Sequence, residues 1–276
     1  MKLRLFLWVA IIITLALSLT PSMGGTSFGD PLASLVGENG LTIVSYSVNW
    51  KSEEKLRSVY EELLKNAHGS EMAFLSTIYI YPGGPTDYPA GFTSFYHEDV
   101  SQAKDGKFIF HNNCTIEIYN ADEYTELSQM ARILSHEYGH HFTFYYLMTK
   151  ENLSKDEWIV SQYADLRNLQ DYSQVTYLNE NPKTYSHEWD IAEILADDYV
   201  QLFGSELAKK SRDYMDVKER IDHNLANYYF HYSDFNLLPQ ENLKLELASD
   251  VEGLANYFES LSGVQLLKQP ERIAIK

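Results

Sequence analysis

The chain has 276 residues, 45% hydrophobic and 14% aromatic, enough to bury a core as one large domain or two closely packed subdomains. A formal net charge of -17 and a pI near 4.9 repel phosphate backbones and argue against nucleic acid as a partner. Short-period repeats and low-complexity tracts do not occur, which argues against a solenoid or a propeller. Cys114 is the single cysteine, so an internal disulfide is impossible, and it reads as a small buried hydrophobe in "CTIEIY".

The N-terminus places Lys2 and Arg4 ahead of an apolar run from Leu5 to Leu19. In a helix that run falls short of a bilayer core of ~30 Å, so residues 1–24 are expected to be a secretory signal cleaved after Gly24. An uncleaved anchor is the alternative, and contact with a membrane is expected only in that case. The expected location is secreted or in the cell envelope. Residues 25–40, rich in Gly and Ser, read as a linker.

The remainder, 41–276, is expected to be one domain with an N-subdomain of about 41–150 and a C-subdomain of about 151–276. "LTIVSYSVNW" (41–50) alternates like a strand, and "SEEKLRSVYEELLKN" (52–66) has helical spacing with Ser52 as N-cap. "MAFLSTIYIY" (72–81), "KFIFH" (107–111) and "CTIEIY" (114–119) read as further strands, and most of the chain beyond residue 124 reads as helix. A sheet first and helices after predict an α+β protein, with an N-terminal mixed β-sheet and a mostly helical C-terminal part.

"YTELSQMARILSHEYGHHFTFYYL" (124–147) reads as one long helix. At about 100° per residue, Leu127, Met130, Leu134, Tyr138, His141 and Tyr145 share one face. His136 and His140 fall opposite, one turn apart, with Glu137 beside them. Two imidazoles at i and i+4 with an intervening acid form the H-E-x-x-H arrangement that holds one zinc ion. His141 points elsewhere on the wheel and reads as packing. Catalytic zinc takes three protein ligands. The extended pattern ending in a third histidine fails, because Thr143 stands at its glycine and Tyr146 at its histidine.

Downstream, "YSHEWDIAEILADDYVQLFGS" (185–205) reads as a second helix with Ile191, Ile194, Leu195 and Leu202 on one side. Glu193 and Asp197 lie one turn apart on another side. A carboxylate in so apolar a helix is costly to bury unless paired or metal-bound. Glu193 is therefore the expected third ligand, and Asp197 the acid that holds a ligating histidine by its free N–H. The other reading of both is as exposed residues of a charged face. Glu188 and Asp190 are weaker candidates, and Asp198 is expected to point away.

"HEYGH" followed by "EILAD" resembles the gluzincin clan of zinc metallopeptidases, which includes thermolysin-like enzymes and the peptidase domain of anthrax lethal factor. The motif match covers residues 133–200. It implies a zincin-like fold, one Zn2+ on His136, His140 and Glu193, Glu137 as general base and Asp197 behind a histidine. Tyr185, eight residues before Glu193 where the lethal-factor-like branch has about seven, resembles that branch's oxyanion-supporting tyrosine. The resemblance further implies hydrolysis of a protein or peptide aligned along a sheet edge, for which "KFIFHN" (107–112) is the candidate. A non-catalytic cell-envelope binding protein that keeps the metal as a staple is the alternative, with "YPGGPTDYPAGFTSFY" and "NYYFHYSDF" as its binding segments. An enzyme acting on cell-wall peptide is a third possibility.

Overall fold

The computed structural model describes residues 29–84, 94–177, 185–209 and 239–266. The expected signal or anchor segment, the start of the expected linker at 25–28, part of the aromatic-rich segment at 85–93 and the segment "NYYFHYSDF" lie outside the described residues. None of the described helices is long and apolar enough to cross a membrane.

The architecture is mixed α and β. Five strands form one sheet in the order β1 (Ala33–Val36), β2 (Thr42–Ser45), β3 (Leu75–Ile80), β7 (Cys114–Ile118), β4 (Ser94–His97). β2, β3 and β7 run parallel, and β1 and β4 pair antiparallel at the two ends. β5 (Val100–Gln102) and β6 (Phe108–Phe110) form a separate antiparallel pair. Ile43, Ile78 and Ile116 stand in register across the sheet and are fully buried. Burying each such side chain contributes about 1.5–3 kcal/mol.

α1 (Glu53–Leu63) joins β2 to β3, and Ser52 caps it as expected, accepting from the Lys55 N–H at 3.3 Å. Helices α2 (Ala131–Tyr146), α3 (Gln162–Leu166), α4 (Ile191–Phe203), α5 (Glu206–Lys209) and α6 (Leu254–Ser262) complete the described elements. The buried apolar residues form one cluster from Leu35 to Phe258, and Cys114 is inside it.

Several sequence expectations need correction. The expected linker contains β1, because Leu35 is drawn into the core against α1 and β2. The strand expected over 41–50 stops at Ser45, after which Ser47 caps a turn of 3-10 helix at Val48–Trp50. Trp50 is buried there, its Nε1 donating to the carbonyls of Ala121 and Tyr124. The long helix begins at Ala131 rather than near 124, since Leu127–Gln129 forms its own 3-10 turn with a capping box from Glu126. α2 is also not one-sided. Both its apolar face and its histidine face are buried, so it runs through the interior. Within the stretch beyond residue 124 expected to be mostly helix, residues 155–171 form two 3-10 segments on either side of the short α3, broken where Asn168 takes φ 54.

Candidate metal centre

α2 and α4 lie side by side, and their packing sets the site. Phe142 of α2 meets Tyr199 and Phe203 of α4 at ring-centroid distances of 4.8 and 5.6 Å. Such pairs contribute about 0.5–1.5 kcal/mol each beyond burial. One turn earlier, Gly139 lets the backbones touch: a Cβ there would sit 2.9 Å from the Ala196 carbonyl oxygen. That approach brings Glu193 and Asp197 over the histidine turn. The N-cap of α4 is Asp190, which accepts from the Ala192 N–H at 2.9 Å.

His136, Glu137 and His140 are all buried, and one ligand atom from each lies within 4.8 Å of the others. This group can hold a metal ion. Glu193 joins it through a single oxygen, Oε2, which is 3.0 Å from His136 Nε2 and 3.4 Å from His140 Nε2. His140 Nδ1 is buried with no hydrogen-bond partner among the described residues.

The back of His136 is held by Asp197, whose Oδ1 lies 3.2 Å from His136 Nδ1. Arg132, one turn earlier on α2, donates to the same oxygen at 3.2 Å, and the Glu241 N–H donates to Asp197 Oδ2 at 2.7 Å. A carboxylate at Nδ1 makes that nitrogen the N–H, so in a neutral ring the Nε2 lone pair faces Glu193 Oε2. Two acceptors 3.0 Å apart require a proton or a cation between them. With the chain's own groups alone, a proton takes that place. Burial disfavours the charged ring, but hydrogen bonds and charges from Asp197 and Glu193 outweigh it and push the His136 pKa up to about 10. Burial likewise opposes ionisation of Glu193, yet the imidazoles of His187, His140 and His136 together hold its carboxyl well below the usual range. A divalent cation replaces these protons with one charge that every lone pair can reach.

Glu137 is buried beside the histidines, and its Oε1 accepts from Ser94 Oγ of β4 at 2.6 Å. Tyr185 bears on the N-cap of α4 rather than on the histidines. Its hydroxyl donates to Asp190 Oδ2 at 3.1 Å, and burial together with the charges of Asp190 and Glu193 keeps the phenol protonated. His141 packs on the far side of α2: its Nε2–H donates to the Glu71 carbonyl and its Nδ1 accepts from Tyr96. Asp198 turns away from the site and pairs with Arg167 and Tyr163. Glu188 pairs with Lys244 at 3.3 Å.

The structure adds residues that the sequence reading passed over. His187 Nε2 stands 3.4 Å from Glu193 Oε2, and Ser94, Arg132, Gly139 and Glu241 support the site as described. Gly139 carried a readable signal, since glycine inside a helix costs about 1 kcal/mol and calls for a packing reason. "KFIFHN" does not lie on the edge above α2. β6 belongs to the two-stranded sheet, and β4 is the end strand of the main sheet nearest Glu137. Comparison with protein-family models, curated proteins and solved structures finds no match to this chain.

Proposed function

We propose that this chain is a zinc-dependent peptidase of zincin-like fold that acts on proteins or peptides outside the cytoplasm. The observation that carries the reading is the convergence of His136 and His140 on Glu193 Oε2, with Glu137 beside them and Asp197 setting the His136 tautomer. Two imidazoles and a carboxylate suit zinc, and the resemblance to gluzincins points to the same ion. Zinc bound there supplies a Lewis acid for a peptide carbonyl and a water that is nucleophilic at neutral pH.

The chain's own groups supply the rest. Glu137, held by Ser94, is the base that takes a proton from water and returns it to the leaving amine. β4 has no strand on its outer side among the described residues, so an extended peptide can add there by main-chain hydrogen bonds. Tyr185 is a protonated donor that bonds Asp190 directly, the N-cap of the helix that carries Glu193. The export expected from the N-terminal segment fits a substrate in the envelope or beyond it.

One observation favours the second reading, a metal-stapled binding protein. His187 lies close enough to act as a further ligand, and a site with four protein ligands is typical of structural zinc. The two readings part on Glu137, which only a hydrolase needs. Casein cleavage in zinc buffer should fall by at least about 100-fold in Glu137→Gln with bound zinc unchanged. Equal cleavage by both forms would remove Glu137 from the mechanism. One zinc bound with no cleavage by either would favour the binding protein.

A further inference from the structure

We infer that His187 is a fourth protein ligand to the ion held by His136, His140 and Glu193, positioned by Glu241. This rests on the metal reading above and deepens it. His187 Nε2, His140 Nε2 and His136 Nε2 lie 3.4, 3.4 and 3.0 Å from one atom, Glu193 Oε2. A tetrahedral zinc with bonds of about 2.0–2.1 Å has ligand-to-ligand edges of about 3.3–3.4 Å. The three edges that meet at Glu193 Oε2 therefore suit a four-coordinate ion.

The opposite nitrogen agrees. His187 Nδ1 is 2.5 Å from Glu241 Oε2, an oxygen that can only accept, so Nδ1 carries the proton and Nε2 is directed at Glu193. This repeats the arrangement of His136 with Asp197, a carboxylate behind a ligating histidine. The same Glu241 donates its backbone N–H to Asp197, so one residue supports both histidines. An ordinary ion-pair network explains this less well. It would spread donors over both carboxylate oxygens, whereas here three rings crowd one.

His187 differs from the other ligands in its mounting. His136, His140 and Glu193 sit on α2 and α4, while His187 sits on a three-residue 3-10 turn, His187–Trp189, with 51% of its side chain exposed. A zinc ion held by His136, His140, Glu193 and His187 would have four protein ligands, as a closed site does. Were zinc held there, His187, exposed and on the shortest of the three elements, would be the ligand whose release could make room for the water that hydrolysis requires.

The test loads the full chain, His187→Ala and Glu241→Gln with Co(II), and measures affinity by chelator competition and coordination by visible absorption. Circular dichroism checks folding. The expected result is one Co(II) per wild-type chain, with bands that azide does not shift. His187→Ala should bind at least about tenfold more weakly, respond to azide, and regain the wild-type spectrum with added imidazole; Glu241→Gln should weaken binding about tenfold. Wild-type affinity in His187→Ala, or the same azide shift in both, would overturn the ligand assignment and leave the three-ligand peptidase site standing. Weaker binding that imidazole does not restore would overturn it too, since the loss would then be structural. If the wild-type chain binds no Co(II) or Zn(II), the metal reading fails and takes this inference with it.

Discussion

α2 has a carboxylate against each side, Glu71 fully buried and Glu193 with 17% of its side chain exposed, and the two are satisfied in opposite ways. On one side Glu71 accepts from Tyr138 at 2.6 Å, from Tyr146 at 2.7 Å and from the Gly69 N–H at 2.9 and 3.0 Å. Every partner there is a fixed donor, so the charge is settled within the protein. On the other side Glu193 faces imidazole nitrogens, each of which presents either a proton or a lone pair. One carboxylate is finished as folded; the other needs something more, a proton or an ion. That contrast separates structural burial of charge from a site built to bind.

Substitutions can break the contrast. Glu193→Gln should lower zinc affinity on the order of a thousandfold, about 4 kcal/mol, as read by chelator competition, with little change in the unfolding midpoint of the zinc-free protein. Glu71→Ala should do the reverse. It removes the carboxylate acceptor of two buried tyrosine hydroxyls, leaving Tyr146 only Ser70 at 3.5 Å, and should cost about 3 kcal/mol in urea unfolding while zinc affinity holds. If Glu71→Ala also abolished zinc binding, the two sides would be one network and the contrast would be false.

Smaller effects sharpen it. Asp197→Asn should weaken zinc by 10–100-fold, roughly 1.4–2.7 kcal/mol, because His136 loses its charged hydrogen-bond partner. Unchanged affinity would mean that His136 is oriented by packing alone. Gly139→Ala gains about 1 kcal/mol of helix propensity but forces a Cβ against the Ala196 carbonyl, which overpacking places at about 1–3 kcal/mol. The expected net loss is about 1 kcal/mol, read from thermal unfolding, with zinc affinity reduced as α4 is pushed away. A stabilised Gly139→Ala would show that the helices do not need that close approach.

The candidate site was legible in proportion to its locality. The spacing of His136, Glu137 and His140 needed only the helical period, and α2 presents them together as that period requires. Glu193 was reachable by a second local argument, a lone acid in an apolar helix, and it meets His136 from 57 positions away. β4 was missed because its four residues carry no long alternation and pairing with β7 decides its place. The edge assigned to "KFIFHN" failed for the same reason: a strand can be read from its residues, but its neighbour cannot.

By itself the sequence determined the helices that bear the candidate ligands, the cap at Ser52, the burial of Cys114 and the pairing of two histidines on one turn, all consequences of contacts a few residues apart. Only the tertiary structure decided that both faces of α2 are buried, that Gly139 admits α4, and that Glu241 reaches back to Asp197 and His187. Those depend on how far apart two backbones come to rest. That distance is set by the packing of every side chain between them, so no short stretch of sequence encodes it.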